Sequence, residues 1–249
     1  MPETHPAFLT AEWRHLALLT FEADPGVLRP FVPRGTELDT HAGRALVSLV
    51  GFRFLDTRVL GFRIPFHRDF EEVNLRFYVR RETRGESRRG VTFIREIVPR
   101  RLIASVARLA YNEPYVALPM RSEISDRPRR VRYAWKSPAG WQSMSMSARG
   151  DPVAPEGGGE ISFITDHEWG YSRQRDGGTR EYRVVHPLWR VATGAEPRVS
   201  GDLGVLYGPA LGEIVARAAV SALLAEGSPV TVYRAGALDF PGPPTTGAR

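Results

Sequence analysis

Alternation of apolar and polar side chains is the feature that most constrains the fold of this chain. It is clearest over residues 70–80, where two sets of side chains each recur at every second position. The apolar set is Val73, Leu75, Phe77 and Val79, and the polar set is Glu72, Asn74, Arg76 and Tyr78. A period of two is the repeat of a β-strand, because successive side chains point to opposite faces. The same signal predicts strands over residues 44–54, 61–65 and 90–97.

Helical periodicity is confined to two segments. Pro99 suits the first turn of a helix, and an apolar stripe at helical spacing follows it. That stripe consists of Leu102, Ile103, Val106 and Leu109. A second helix is predicted over residues 209–225, ending before Gly227. Further strands are predicted as a hairpin over residues 129–148, then from Ile161 to Phe163, over 180–189 and over 230–233.

Consecutive strands joined by short turns predict an α+β fold, mainly antiparallel, or a barrel-like β fold. A doubly wound parallel sheet is disfavoured, because strands and helices do not alternate and no Gly-x-Gly-x-x-Gly turn opens a helix. The glycine-rich segment 151–160 is interpreted as a loop, since strand patterning resumes directly after it. We therefore predict one domain over residues 1–240 and a flexible tail over residues 241–249.

Composition excludes several classes of protein. The chain has 249 residues, 42% of them hydrophobic and 25% charged, which is typical of a globular protein with a real core. It has no cysteine, so disulfides, thiolate nucleophiles and iron–sulfur clusters are excluded. The N-terminal residues lack the pattern of a secretory signal, and the apolar stretch 214–225 is too short to span a bilayer. We expect a cytoplasmic protein without a membrane partner.

The basic residues raise the question of nucleic-acid binding. The formal net charge is +6, and Lys136 is the only lysine among the 34 basic residues. The arginines occur in short clusters along the whole chain, with acidic residues between them, and no nucleic-acid-binding motif accompanies them. An arginine-rich solvated surface explains this pattern at least as well. Nucleic-acid association through the arginines is kept as a second alternative.

The polar face of residues 70–80 is the best candidate for chemistry. Glu72, Asn74, Arg76 and Tyr78 project from one side of the predicted strand, at steps of about 6.7 Å. Arg76 could pair with an anionic ligand group, and Glu72 could act as an acid or a base. The competing interpretation is an ordinary solvated sheet face. The alternation cannot decide which face of the strand is turned inward, because a shift of one residue inverts it.

Two histidine segments offer further candidates. His186 is followed by a proline, a leucine and Trp189 at a predicted strand end, where it could carry protons or contact a ligand, although a structural histidine is the commoner case. The run Asp166, His167 and Glu168 resembles a set of metal ligands. Neighbours on a strand point to opposite faces and cannot easily converge on one ion, so we predict no metal site. No cofactor motif is present, and we predict no cofactor.

Lys136 is the only side-chain amine available for a Schiff base. It shares its predicted strand face with Arg130 and Arg132 and lies next to a hairpin turn, which indicates exposure. A Schiff-base lysine needs desolvation or a cationic neighbour to lower its pKa, and this position supplies only the neighbour. Lys136 therefore remains a weak candidate for imine chemistry.

Four segments together resemble a known family. They are residues 70–79 (FEEVNLRFYV), residues 90–93 (GVTF), the pair Ala107 and Arg108 with residues 112–115 (NEPY), and residues 186–189 (HPLW). In order and spacing they are similar to the YqjF-like family, domain of unknown function 2071, which is grouped with the acetoacetate decarboxylase-like superfamily. The resemblance runs from about Trp13 to Tyr233. Residues 165–171 (TDHEWGY) depart from the family pattern.

The resemblance implies a single domain of curved antiparallel sheets, cone-like or barrel-like, around a largely apolar cavity, with helices outside. It also implies that the decarboxylase lysine would follow a proline, where this chain has Pro114, Tyr115 and Val116. Decarboxylation through an imine is therefore not expected.

We predict instead that the cavity binds a small, partly apolar molecule that is anionic or bears a carbonyl group. The expected ligand-binding residues are Asn74, Arg76, Tyr78 and Tyr115, and Glu72 and His186 are the candidates for proton transfer. The enzymatic alternative is a lyase or hydratase that uses Lys136, or Glu72 with His186. Exposed strand edges could also support a homo-oligomer.

Overall fold

The computed structural model describes residues 6–83, 85–127 and 129–238. The predicted tail over residues 241–249 lies outside these residues. The strands are β1 Ala7–Ala23, β2 Glu37–Leu38, β3 Thr40–His41, β4 Arg44–Val59, β5 Phe62–Arg63, β6 Phe70–Thr83, β7 Glu86–Val98, β8 Tyr115–Ala117, β9 Met120–Asp126, β10 Arg129–Ser137, β11 Gly140–Val153, β12 Trp169–Arg173, β13 Thr179–Val185, β14 Val191–Ser200, β15 Ser221–Tyr233 and β16 Gly236–Ala237. The helices are α1 Pro25–Leu28, α2 Arg101–Tyr111, α3 Glu160–Thr165, α4 Gly204–Tyr207 and α5 Pro209–Val215, with a 3-10 turn over Arg29–Phe31.

The strands belong to one sheet that is mainly antiparallel. Strands β13, β12, β7, β6, β4, β1 and β15 pair in that order, and β15 pairs in turn with β13, so the pairings close into a ring. Strands β14, β11, β10 and β9 extend the sheet from β15. The parallel pairings are those of β7 with β8 and β12. The prediction of an α+β fold made mainly of antiparallel sheet is confirmed.

Strand β6 is buried on both faces. Its apolar set belongs to a core that also contains Tyr133 and Trp135 of β10 and Leu211 of α5, so β10 and the helix cover this face. Its other face carries Glu72, Asn74 and Arg76, which line a cavity inside the ring of strands. Both faces of the strand are therefore covered. The apolar side chains pack in the core, and the polar side chains line the cavity instead of facing solvent.

Two predicted elements are wrong. The helix predicted over residues 209–225 ends at Val215, and Ser221–Tyr233 forms β15 between β1 and β14. The alanines and leucines there favour a helix locally, but pairing with β1 buries them in the centre of the sheet, and tertiary packing overrides propensity. Gly227 does not end a helix. It lies in the strand at φ 80°, where a Cβ atom would come 1.9 Å from the Trp13 carbonyl oxygen.

The strand predicted from Ile161 to Phe163 is also wrong, because Glu160–Thr165 is the helix α3. Two apolar residues at alternating positions are too short a run to separate a strand from one turn of helix. Burial of Phe163, Ile164 and Thr165 stabilises the helical arrangement. No helix in the described ranges has both the length and the apolar character to cross a membrane.

Candidate functional site

An interior cavity of about 130 Å³ lies within the ring of strands. Its wall is mainly aliphatic and aromatic: Phe8, Leu9, Trp13, Leu16, Val50, Phe52, Phe54, Val59, Ile64, Phe70, Phe93, Leu102, Ile103, Val106, Ala107, Tyr111, Tyr115, Tyr182, Val184, Trp189 and Val232. The remaining lining residues are Glu72, Asn74, Arg76, Glu96 and Glu113. The cavity is therefore apolar over most of its wall, with carboxyl groups, an amide and a guanidinium in the remainder.

Strand pairing brings the polar lining residues together. Asn74 of β6 lies directly opposite Glu96 of β7, and Glu96 lies opposite Tyr115 of β8. Residues paired directly across two strands project from the same face, with Cβ atoms about 5 Å apart. Three neighbouring strands thus place an amide, a carboxyl group and a phenol side by side at the cavity wall.

Hydrogen bonds connect these side chains into a cluster. Glu72 accepts a bond at Oε1 from Asn74 Nδ2 at 2.9 Å and a bond at Oε2 from the Tyr115 hydroxyl at 2.8 Å. The Tyr182 hydroxyl donates to Glu113 Oε1 at 2.7 Å. We call Glu72, Glu96 and Glu113 the acid cluster. Each of the three is at most 4% exposed, so their charges are shielded from water.

The environment raises the pKa of all three carboxyl groups. Burial raises the pKa of Glu72 to about 7, although the hydrogen bonds from Asn74 and Tyr115 and the nearby Arg76 oppose the shift. Burial and the Glu72 charge raise the pKa of Glu113 to about 8 against the bond from Tyr182. Burial, with the charges of Glu113 and Glu72, raises the pKa of Glu96 well above its usual value. Glu113 is therefore mainly protonated at neutral pH, whereas Glu72 is divided between its protonated and ionised forms.

Several polar atoms at the cavity wall have no hydrogen-bond partner among the described residues. They are Trp13 Nε1, Asn74 Oδ1, Arg76 Nε and Glu96 Oε2. Such an atom, when buried, costs about 1–3 kcal/mol, and most buried polar atoms are paired. All four atoms belong to residues that line the same cavity.

The helix α2 closes one side of the cavity. Leu102, Ile103, Val106 and Ala107 line the cavity, and Leu102 is also 47% exposed, so this helix lies between the cavity and solvent. The helix ends at Asn112, which adopts a left-handed conformation with φ 54° and donates a backbone hydrogen bond to the Arg108 carbonyl at 3.0 Å. Glu113 follows immediately, so this helix end sets the position of one member of the acid cluster.

The structure brings four of the six predicted site residues to the cavity: Glu72, Asn74, Arg76 and Tyr115. Tyr78 is buried beyond its wall, where its hydroxyl bonds Ser48 at 2.6 Å and its ring stacks on His167. His186 is half-buried and stacks on Trp189 with ring centroids 4.2 Å apart. Trp189 belongs to the cavity wall and His186 does not.

Lys136 lies away from the cavity. Its side chain is exposed on β10, opposite Trp141 of β11. Imine chemistry by Lys136 inside the cavity would need the hairpin to rearrange.

Sequence reasoning missed Glu96 and Glu113 as site residues. Glu96 lies in the segment 93–98 (FIREIV) of a predicted strand. A carboxyl group within a buried strand is unusual, and this could have marked Glu96 as a candidate site residue. Glu113 belongs to a segment quoted for the family resemblance, but nothing in its spacing links it to residues 72–78. Within the described ranges, no group of three or more histidine, aspartate or glutamate side chains is placed to hold a metal ion.

Comparison with known proteins supports the fold. The acetoacetate decarboxylase of Legionella pneumophila superimposes with a TM-score of 0.68 at 14% identity, over 96% of this chain and 92% of that one. The enduracididine biosynthesis enzyme MppR, complexed with pyruvate, superimposes with a TM-score of 0.62 at 12% identity, over 96% and 92%. At these identities the similarity shows a shared fold.

Sequence comparison identifies the family. The protein YqjF of Bacillus subtilis (strain 168), described as uncharacterized, is 32% identical over 112 residues, which are 45% of this chain and 45% of that protein. The match therefore spans less than half the length of this relative. A family model described as an uncharacterized conserved protein, DUF2071, matches residues 10–229. The chain therefore belongs to the DUF2071 family, and it has an acetoacetate decarboxylase-like fold.

Proposed function

We propose that this protein binds a small, mainly apolar molecule with a neutral carbonyl group in the cavity inside the ring of strands. The observation that carries the proposal is the pairing of an apolar wall with unpartnered polar atoms at Asn74 and Glu96. Pockets for small ligands generally combine a mainly apolar lining with a few convergent polar groups.

The size of the cavity sets the size of the ligand. Its volume of about 130 Å³ is close to the roughly 150 Å³ of an engineered apolar cavity that binds benzene. The aromatic rings of Phe52, Phe54 and Phe70 lie in contact with one another along the wall. A ligand with a short aliphatic or aromatic body fits this volume and this lining.

The electrostatics of the wall favour a neutral polar group over an anion. Arg76 is the only cationic side chain among the described residues that line the cavity, and it lies near Glu72. A ligand carboxylate would have to lose its hydration in this buried site, where burial already disfavours the charged forms of Glu72, Glu96 and Glu113. A carbonyl oxygen accepts hydrogen bonds without bringing a charge. Glu96 in its protonated form and Arg76 Nε are donors suited to that role.

The described wall contains no side-chain amine, so the proposed binding does not involve an imine. The Pro114 segment that the family resemblance aligns with the decarboxylase lysine contributes Tyr115, whose hydroxyl bonds Glu72. The pyruvate complex of MppR is consistent with a carbonyl ligand in this fold, although an amine-free site needs a different means of holding the carbonyl.

The test is ligand-observed NMR with a series of methyl ketones of four to eight carbons, using saturation transfer from the protein. We expect binding that strengthens with chain length until the cavity is full. Ala107→Trp places an indole in the cavity from α2, and we expect it to abolish the saturation transfer.

Leu109→Trp is the matched control, because Leu109 is on the same helix but is 84% exposed. We expect it to bind the ketones like the wild type. Equal binding by both tryptophan variants would contradict the proposal, and so would the absence of binding by the folded wild type to every ketone in the series.

A further inference from the structure

Two of the three carboxyl groups of the acid cluster, those of Glu72 and Glu96, have different surroundings. We propose that they catalyse proton transfer next to the carbonyl group of a bound ketone, with Glu72 as the base and Glu96 as the acid at the carbonyl oxygen. This inference rests on the proposed function, because it requires a carbonyl compound in the cavity. The reaction class is enolisation without an imine.

Glu72 has the surroundings of a base. Both of its oxygens accept hydrogen bonds, from Asn74 Nδ2 and from the Tyr115 hydroxyl, and such bonds favour the carboxylate form. Burial keeps its pKa raised to about 7, where a general base is most effective at neutral pH. Each oxygen retains a further lone pair, so the carboxylate can take a proton while both bonds persist.

Glu96 has the surroundings of an acid. Its Oε2 atom has no partner among the described residues, and its pKa is raised by burial and by the neighbouring charges of Glu113 and Glu72. A buried carboxylic acid that stays protonated at neutral pH can donate to a developing oxyanion, as in ketosteroid isomerase. Glu96 and Glu72 are linked through Tyr115, whose hydroxyl contacts both carboxyl groups.

A second observation, independent of the carboxyl groups, also points to a ligand here. Asn74 is 2% exposed and lines the cavity, and its Oδ1 atom has no partner in the described structure. Asn74 also lies directly opposite Glu96 across the two strands. An enol carries a hydroxyl donor that a keto group lacks, so an unpaired acceptor beside Glu96 suits the enol form.

The proposed step balances without any co-reactant. The C–H bond next to the carbonyl breaks, and its proton moves to a Glu72 oxygen. The electron pair of that bond forms the carbon–carbon double bond of the enol. The carbonyl π pair moves to oxygen, which takes the proton of Glu96. Return of a proton from Glu72 to carbon, and of the enol proton to Glu96, restores both carboxyl groups.

Deuterium exchange measures this step directly. The full-length protein is incubated with 2-pentanone in D₂O, and loss of the proton signals next to the carbonyl is followed by NMR. Saturation transfer in the same sample reports binding. We expect exchange above the rate given by heat-denatured protein, and loss of that excess by roughly 10²-fold or more in Glu72→Gln. We expect a smaller loss in Glu96→Gln, because an amide is a weaker acid but still a donor.

Glu71→Gln is the matched control. Glu71 is adjacent to Glu72 but does not line the cavity, and it accepts a hydrogen bond from Ser122 at 2.8 Å. We expect its exchange rate to equal that of the wild type. The wild-type rate should rise with pH as Glu72 loses its proton and fall once Glu96 does. The charges of Arg76 near Glu72 and of Glu113 near Glu96, together with the Tyr115 hydroxyl that contacts both carboxyl groups, set the pH values at which the rate rises and falls.

The outcomes separate this inference from the proposed function. Ketone binding without excess exchange overturns the catalytic inference and leaves the binding proposal standing. Excess exchange that survives in Glu72→Gln overturns the assignment of the base. Absence of both binding and exchange in the folded wild type overturns both. Folding of each variant is checked by circular dichroism.

Discussion

The carboxyl group of Glu113 shows how a single residue links the site to the stability of the fold. Burial raises its pKa from 4.5 to about 8 in the folded protein, whereas the unfolded chain leaves it near the ordinary value. Between these two pH values the unfolded state releases its proton and the folded state keeps it. The contribution of this group to the free energy of unfolding is therefore complete below about pH 4.5 and is lost as the pH rises towards 8.

Replacing Glu113 with glutamine should remove this loss of stability at rising pH. The amide oxygen can still accept the bond from the Tyr182 hydroxyl, so the packing is kept. We expect the drop in the free energy of unfolding between pH 5 and pH 8 to be smaller in Glu113→Gln than in the wild type, by about 1 kcal/mol or more. Urea denaturation at both pH values gives this difference.

Glu123→Gln provides the reference for that measurement, because Glu123 is exposed and pairs with Arg132. We expect its pH dependence to match the wild type. If Glu113→Gln and Glu123→Gln gave the same pH dependence, Glu113 would titrate normally in the folded protein and would be ionised at neutral pH.

Strand β7 shows which part of the site could not be predicted from the sequence. The alternation of β6 correctly groups Glu72, Asn74 and Arg76 on one face. Its partner strand contains a bulge, because Arg76 pairs with Phe93 and Leu75 with Arg95, which leaves Ile94 as an extra residue. Without the bulge, Arg95 would lie opposite Asn74. The bulge places Glu96 opposite Asn74 instead. No local sequence pattern predicts such a shift of register.

Helix α2 could be predicted from its apolar stripe, but its ends could not: Pro99 precedes the N-cap residue Arg100 and does not occupy the first turn. Asn112 holds φ 54° and ψ 29° and also donates from Nδ2 to the Arg173 carbonyl at 2.8 Å. A β-branched residue is strained in this left-handed region, whereas glycine is not. We expect Asn112→Val to lower the free energy of unfolding by about 1–3 kcal/mol and to weaken ketone binding, because Glu113 follows directly.

Asn112→Gly is the comparison that isolates the backbone effect. It loses the same side-chain hydrogen bond as the valine variant, but it adopts the left-handed conformation without strain. We expect a smaller loss of stability by chemical denaturation and near-normal ketone binding. Equal destabilisation by valine and glycine would mean that the side-chain bond, rather than the backbone conformation, holds this helix end.

At the scale of the whole molecule, the alternating pattern predicted a mainly antiparallel fold with barrel-like closure as an alternative, but it did not identify the strands that close the sheet. The ring closes where β13 pairs with β15 through Val184 with Val232 and Val185 with Thr231. These strands are far apart in sequence, and β15 itself has the local composition of a helix over Ser221–Ala225. Closure depends on which distant edges meet, and that is decided by burial across the complete sheet rather than by any one segment.

The whole-molecule charge pattern also argues against the nucleic-acid alternative. Two of the arginine clusters, at residues 80–81 and 88–89, are paired with acidic residues, because Arg80 pairs with Glu37 and Arg89 with Asp39. Arg81 and Arg88 share Glu181, with nitrogen–oxygen distances of 3.1 and 2.7 Å. Binding a phosphate would require these pairs to break. Weak affinity is therefore expected despite the formal net charge of +6.

Fluorescence anisotropy with a labelled DNA duplex checks this expectation across a salt series. We expect the wild type to show no binding at about 150 mM salt, where phosphate contacts are strongly weakened. Glu181→Gln leaves Arg81 and Arg88 without their shared carboxylate, and we expect it to bind the duplex several-fold more tightly at low salt. Strong wild-type binding that falls steeply with salt, and that Glu181→Gln leaves unchanged, would mean that other arginines form a real nucleic-acid surface.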